Sequence, residues 1–218
     1  MGTKFSTRIW VGVVGIASIF WGSKGYADTV VSVADFGLKP DTRENAVAYV
    51  QKAIEACRGK EPVTLVFPEG RYDFWPQYAH EKNYYETNTY DVFPKRLAML
   101  FEGFHNITVD GNGSQFVMHD RIQPITVENC DGVTLKNFSI DWDIPLTAQA
   151  RVIKVGSDFF EIEINVLESP YIIEDGKLVF VGEGWKSALG SMIEFESDTH
   201  FVVPGTGDLV LGRNWRDY

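Results

Sequence analysis

A repeat of 26 residues lies within residues 100–141 and restricts the folds that this chain can adopt. Each copy is a short apolar strand, a polar corner, and a second strand in which apolar and polar residues alternate. The matched positions are Phe101 with Val127, Glu102 with Glu128, His105 with Asp131, Ile107 with Val133, Thr108 with Thr134, and Val109 with Leu135. A fixed period in strands broken by sharp corners predicts a parallel β-helix, in which matched residues stack. The alternative is two unrelated β-hairpins that turn at Asp110-Gly111 and Asn112-Gly113.

The first 27 residues have the pattern of a secretory signal peptide. Lys4 and Arg8 give a basic start, Ile9 to Trp21 is an apolar run, and Gly25-Tyr26-Ala27 places small residues before a cut. We therefore predict cleavage after Ala27 and a secreted or periplasmic protein. The alternative is a retained membrane anchor, which is disfavoured because a spanning helix needs roughly 20 apolar residues.

The charge and the cysteines limit the partners and the chemistry. The formal charge is −10, and signal-peptide removal would make it −13 because three basic residues and no acidic residue are lost. An acidic surface argues against nucleic acid and anionic membranes as partners. Cys57 and Cys130 could pair in an oxidising compartment or remain buried free thiols.

The histidines give no indication of a metal site. They are His80, His105, His119 and His200. This scattered spacing is not typical of metal ligands, so we predict no metal and no cofactor.

The stretch after the predicted cut alternates between strand and helix patterns. Residues 31–36 predict a strand that ends at Gly37, and Asp41 or Thr42 could cap a following helix. The helix has one apolar stripe, formed by Val47, Val50, Ile54 and Cys57. Gly59 is placed to end it, and residues 63–67 predict the next strand. We expect the helix to cover the open end of the β-helix, where strand edges would otherwise be exposed.

After Pro145 the 26-residue period is lost. Short strands linked by turn residues predict an antiparallel meander or small barrel. The predicted strands are 150–155, 159–164, 171–173, 178–181, 192–195 and 209–211. The expected organisation is a signal peptide (1–27), an N-terminal cap with the first coils of a β-helix (28–145), and an antiparallel, barrel-like domain (146–218). We expect this last domain to be truncated.

Three early segments, VVSVADFG, AVAYVQKAIEAC and LVFPEGRY, resemble the entry segment of the pectate-lyase-like superfamily of right-handed β-helices. This resemblance covers residues 31–74 and implies a fold, but it names no reaction. Lyases, hydrolases, epimerases and phage tail proteins share the same architecture.

Residues 84–91 (YYETNTYD) and 106–152 are similar to glycoside hydrolase family 110, the bacterial exo-acting α-1,3-galactosidases. The motifs that carry the similarity are DGNGSQFVMH, the following Arg121 and Pro124, LKNFSID, and Gln149 after Pro145. The resemblance implies a glycan with terminal α-linked galactose as the substrate. Because the family is much longer, it also implies that this chain is an N-terminal piece. The catalytic acid and base would then lie in coils beyond Tyr218.

Aromatic and polar residues in the stretch 72–93 suggest contacts to a sugar, whose C–H face stacks on rings and whose hydroxyls bind polar groups. Tyr84, Tyr85 and Asn88 are the candidates. The alternative is that these rings pack a long loop against the strands. Arg121 could likewise reach a sugar hydroxyl, or form an ion pair with Asp120 or another acid.

Asp141 and Asp143 are the only candidates for a catalytic carboxylate pair. Glycosidases hold two carboxyl groups about 5 Å apart for retention, or about 6.5–9.5 Å apart for inversion. Alternate residues of a strand lie on one face at roughly 6.5–7 Å, so this pair has a suitable spacing. The alternative is a polar corner that ends a coil, because Pro145 follows at once.

These patterns together predict a secreted, inverting α-galactosidase of which the chain alone is inactive. We expect no cofactor, no nucleic acid and no membrane after signal cleavage, and the oligomeric state stays open. One alternative is a carbohydrate-binding or adhesion β-helix without turnover. A polysaccharide lyase is less favoured, because the sequence lacks an Asp cluster of the Ca²⁺ type and a Lys/Arg cluster.

Overall fold

The protein is mainly β in the computed structural model, which describes residues 29–84, 94–204 and 209–210. The strands of the N-terminal part are β1 Thr29–Ser32, β2 Val63–Val66, β3 Arg71–Phe74, β4 His80–Asn83, β5 Pro94–Glu102, β6 His105–Met118, β7 Gln123–Glu128 and β8 Asp131–Trp142. A 3-10 helix, Val33–Phe36, and one α-helix, α1 Val47–Cys57, lie between β1 and β2. None of the described helices is long and apolar enough to cross a membrane.

The parallel register predicted from the 26-residue repeat is confirmed. In β6 and β8, Ile107 pairs with Val133 and Val109 with Leu135. In β5 and β7, Phe101 pairs with Val127 at the same offset. The parallel pairing excludes the alternative of two unrelated hairpins, whose strands would be antiparallel.

The corners between these strands repeat as well. Gly103 and Asn129 both have a positive φ, as do Asn106 and Gly132, and each pair is 26 residues apart. A positive φ suits Gly and Asn because their small or locally hydrogen-bonding side chains tolerate the left-handed region. The two copies therefore share their turn geometry in addition to their strand pattern.

The apolar core lies between two parallel sheets and α1. One sheet runs β1-β2-β6 with β8 on the far side, and β3 pairs with the second half of β6. The other sheet runs β4-β5-β7. Fully buried aromatic side chains fill the space between them: Phe67, Tyr72, Phe74, Phe101, Phe104 and Phe116.

Two local predictions for the N-terminal segment are wrong. The first strand ends at Ser32 instead of Gly37, because the Ser32 hydroxyl accepts a hydrogen bond from the backbone N–H of Ala34 and begins the 3-10 helix. The α-helix is not capped by Asp41 or Thr42. It begins at Val47, whose backbone N–H donates to the Asn45 side chain (3.1 Å).

The apolar stripe of α1 is buried, as predicted. Val47, Val50, Ile54 and Cys57 all belong to the core. The helix packs against β2 and β5. Gly59 lies just beyond the helix end with a positive φ, as expected of a residue that terminates a helix.

The C-terminal part consists of short antiparallel strands, as predicted. They are β9 Arg151–Val155, β10 Phe160–Glu163, β11 Tyr171–Glu174, β12 Lys177–Gly182, β13 Trp185–Ala188, β14 Ser191–Met192 and β15 Leu209–Val210. Strand β9 pairs with β10, β12 lies between β11 and β13, and β14 pairs with β15. Strand β13 was not predicted, because a Lys and a Ser leave it without apolar alternation.

Cys57 and Cys130 are free thiols. Cys57 is buried, and burial raises the pKa of its thiol to about 11. Cys130 is half-buried, which differs from the expected full burial, because it lies in the corner between β7 and β8. Its sulfur accepts a hydrogen bond from the backbone N–H of Phe104 in the preceding copy of the repeat (3.3 Å).

Candidate functional site

A cluster of charged side chains lies on the outer face of the parallel sheet. We call Arg71, Asp73, His119, Asp143 and Glu183 the charged cluster. On β3, Tyr72 and Phe74 face the core, so the alternating Arg71 and Asp73 face the opposite side. His119 follows the last residue of β6, and Asp143 follows the last residue of β8. Glu183 comes from the turn between β12 and β13, which reaches this face from the C-terminal part.

Asp73 is the buried centre of the charged cluster. Its side chain is fully buried and accepts hydrogen bonds from Arg71 Nη2 (2.6 Å) and His119 Nε2 (2.8 Å). Burial alone would raise the pKa of Asp73, but the hydrogen bonds from Arg71 and then His119 lower it below the ordinary value. The carboxylate is therefore held ionised by its two partners.

His119 connects two carboxylates. Its Nε2 faces Asp73, and its Nδ1 lies 2.6 Å from Oε2 of Glu183. The ring is nearly covered, at 3% exposure, and stacks on Trp75 with centroids 3.8 Å apart. This side chain thus links β3 to the β12–β13 turn through hydrogen bonds on both ring nitrogens.

Arg71 joins the buried acid to the outer one. Its Nη2 lies 2.6 Å from Asp73 and 2.8 Å from Asp143, and these hydrogen bonds, first that to Asp73, raise the pKa of the guanidinium. The exposed Arg43 guanidinium adds a weaker contact to each acid, at 3.8 Å and 3.7 Å. Opposite charges are therefore interleaved throughout the charged cluster.

The same side chains do not favour a metal ion. Ligand atoms of His119, Asp143 and Glu183 lie within 4.8 Å of one another, which is close enough for shared coordination. However, Arg71 already donates to Asp143 at 2.8 Å, and its positive charge would repel a cation. A metal would also have to replace the hydrogen bond between His119 and Glu183.

The structure separates the two predicted catalytic carboxylates in their partners. Asp143 joins the charged cluster through Arg71. Asp141 lies at the end of β8 and is exposed, and its Oδ1 accepts the backbone N–H of Trp142 (2.8 Å). Because Arg71 occupies an oxygen of Asp143, that oxygen does not face an open space where a glycosidic bond could lie. Catalysis by this pair stays a prediction.

Tyr84 belongs to a second charged group, on the other sheet. Its hydroxyl donates to Glu128, which also accepts from Lys82 Nζ (2.7 Å). Lys82 further contacts Glu102 (3.0 Å), the register partner of Glu128. The hydrogen bonds from Lys82 and then Tyr84 lower the pKa of Glu128. A structural hydrogen bond therefore engages the hydroxyl that was predicted to contact a sugar.

The other predicted sugar contacts have different outcomes. Tyr85 and Asn88 lie outside the described residues. Arg121 is exposed, and its guanidinium lies over the Trp185 ring, 5.9 Å from the centroid. It forms no ion pair with Asp120 or another acid in the part of the chain that the structure describes, so that alternative is wrong there.

Asp73, His119 and Glu183 were not predicted as interacting residues. Asp73 could have been found, because a carboxylate two residues after Arg71 in a strand shares its face. The pairing of His119 with Glu183 joins residues 64 positions apart in differently folded parts, and no local pattern indicates it.

Comparison with known proteins gives a consistent family. A family model described as GLAA-B beta-barrel domain I matches residues 148–217. The chain is 58% identical to alpha-1,3-galactosidase B of Bacteroides thetaiotaomicron, over 88% of this chain and 31% of the relative. It is 37% identical to alpha-1,3-galactosidase A of Shewanella woodyi, over 77% of this chain and 28% of the relative.

A third relative extends the match. Alpha-1,3-galactosidase B of Phocaeicola vulgatus is 36% identical over 92% of this chain and 32% of the relative. The chain spans about a third of the length of these curated relatives. It therefore belongs to the family of the alpha-1,3-galactosidases A and B, glycoside hydrolase family 110.

Proposed function

We propose that the protein to which this chain belongs is a secreted, exo-acting glycoside hydrolase that removes terminal α-1,3-linked galactose from glycans. The observation that carries this proposal is the 58% identity to an alpha-1,3-galactosidase B over 88% of the chain. The reaction proceeds by inversion and uses no cofactor. Secretion rests on the signal-peptide pattern of residues 1–27, with cleavage after Ala27.

The fold that we propose for residues 28–145 is a right-handed parallel β-helix with α1 as its cap. Three parallel layers support it: β2 and β3 both pair with β6, and β6 pairs with β8. The recurrence of corners at the same 26-residue offset supports stacked coils, because one coil cannot bury its apolar face alone.

The outermost layer supports further coils in the longer protein. Val109 and Phe116 of β6 are fully buried, whereas their register partners on β8, Leu135 and Ile140, are 41% and 38% exposed. The apolar pattern of β8 is therefore that of an inner coil with one side uncovered. A further parallel coil of the same polypeptide would bury these side chains and extend the strand pairing.

The catalytic acid and base belong to those further coils. Inverting hydrolysis requires two carboxyl groups on opposite sides of the glycosidic bond, with room for a water molecule. In this chain Asp143 is tied to Arg71, and Glu128 is tied to Lys82 and Tyr84. Each of these carboxylates is engaged by neighbouring side chains, which supports a catalytic pair elsewhere.

The test compares the full-length protein with residues 28–218 on an α-1,3-linked galactose disaccharide, and measures released galactose. We expect turnover by the full-length protein only. Asp141→Asn and Asp143→Asn in the full-length protein are the matched controls, and both should retain turnover. No release by the full-length protein would favour a carbohydrate-binding β-helix. Release by the short protein, abolished by either substitution, would place the catalytic pair in this chain.

A further inference from the structure

The turn between β12 and β13 is shaped to present a single carboxylate to the parallel sheet. Its residues are Gly182, Glu183 and Gly184. A Cβ on Gly182 would overlap the Trp185 ring, and a Cβ on Gly184 would overlap the Asp120 carboxylate. Gly184 also has a positive φ of 73°. Both glycines thus allow close approach, and only Glu183 carries a side chain into the contact with His119.

The contact requires a bound proton. The two ring nitrogens of His119 face carboxylate oxygens at 2.8 Å (Asp73) and 2.6 Å (Glu183). A neutral imidazole has one N–H, so it can donate to only one of them. The second nitrogen would then place a lone pair against a carboxylate oxygen, which is repulsive at this distance. An imidazolium donates to both acids and removes the conflict.

The surroundings are consistent with a cationic ring. Asp73 accepts at Nε2 and Glu183 at Nδ1, while the Trp75 ring stacks on one face. Asp143 lies within 4.8 Å of the ring nitrogen. The opposing positive charge comes from Arg71, whose guanidinium donates to Asp73 and Asp143 and so is directed toward the acids.

We propose that His119 is an imidazolium that fastens the Gly182–Gly184 turn to the parallel sheet, so that the contact between the two parts of the chain depends on one proton. We call Asp73, His119 and Glu183 the clasp. Removing the proton at high pH removes one of its two hydrogen bonds and releases the turn. Protonating its acids at low pH has the same effect. The clasp therefore operates as a pH-sensitive conformational device, independent of the proposed hydrolase activity.

The first test observes the ring directly. We would record side-chain ¹H–¹⁵N correlations of the full chain labelled in histidine, at neutral pH. The expected result is that both nitrogens of His119 are protonated, whereas the exposed His105 shows ordinary exchange between forms. His119→Gln assigns the signal, and Glu183→Gln assigns it if the first variant does not fold. A neutral ring with one protonated nitrogen would overturn the proposal.

The second test measures what the clasp holds. Hydrogen exchange of the amides in residues 182–188 should be about tenfold faster in Glu183→Ala than in the unmodified chain, as expected for losing one charge-assisted hydrogen bond. Glu183→Gln, whose amide can donate to a neutral ring, should restore part of the protection and remove its loss at high pH. Glu174→Ala is the control, because Glu174 forms an exposed ion pair with Lys186 in the same sheet. Equal exchange in Glu183→Ala and Glu174→Ala would contradict the clasp.

Discussion

Replacing Ile54 with Asp tests whether the α1 stripe holds the core together. Ile54 is 4% exposed and packs within the core between the helix and the sheets. Truncating a large buried aliphatic side chain costs about 2–5 kcal/mol, and a buried carboxylate without a partner adds to this loss. We therefore expect Ile54→Asp to lower the free energy of unfolding by at least about 4 kcal/mol, a large part of the roughly 5–15 kcal/mol typical of a domain.

The assay is thermal unfolding followed by circular dichroism. For a chain of this size 1 kcal/mol shifts the midpoint by about 2–4 °C, so the expected fall is about 8–16 °C. Lys52→Asp is the matched control, because Lys52 is exposed on the same helix and loses the same helix propensity. That loss is below about 1 kcal/mol, so the control should fall by no more than about 4 °C. Equal falls for the two variants would refute the role of the stripe.

Three further outcomes follow from buried or closely packed residues. The ionised Asp73 stabilises the fold above the ordinary carboxyl range, and this contribution is lost as the pH falls through its lowered pKa, so Asp73→Asn should flatten the acid side of the stability–pH curve. In the native protein iodoacetamide should alkylate the half-buried Cys130 faster than the buried Cys57, measured by peptide mass spectrometry, whereas equal rates would contradict the burial. Gly111→Ala should destabilise by about 1–3 kcal/mol in urea unfolding, because its Cβ would lie 2.5 Å from the Phe138 Cβ, whereas the open Gly190→Ala should not.

The stacked part of the fold was predictable because its information is local and repeated. Alternation in β6 and β8 identified the face of each residue, and the 26-residue offset identified its neighbour in the next layer, as for Ile107 and Val133. The repeat did not identify features that depend on contacts to other segments. Asn45, which receives the first hydrogen bond of α1, is itself held by the backbone carbonyl of Gln77 (2.9 Å). Propensity at Asp41 or Thr42 could not reveal that contact.

The charged cluster was only partly predictable for the same reason. Asp143 was selected for its spacing from Asp141, and alternation places both on one face of β8 and its extension. The residue that decides the role of Asp143 is Arg71, which is 72 positions earlier and two layers away. A sequence pattern gives the positions of carboxylates but not the cations that neutralise them.

The neutralisation of these acids bears on where catalysis can occur in the longer protein. Stacked coils bring side chains of successive layers close together, as Asp73 and His119 show at 2.8 Å. Such proximity yields either a stable ion network or a catalytic pair, depending on whether a cation is included. A general acid must carry a proton at the working pH, which an adjacent guanidinium opposes. We therefore expect the catalytic pair on a coil face where two carboxylates meet without an arginine such as Arg71 between them.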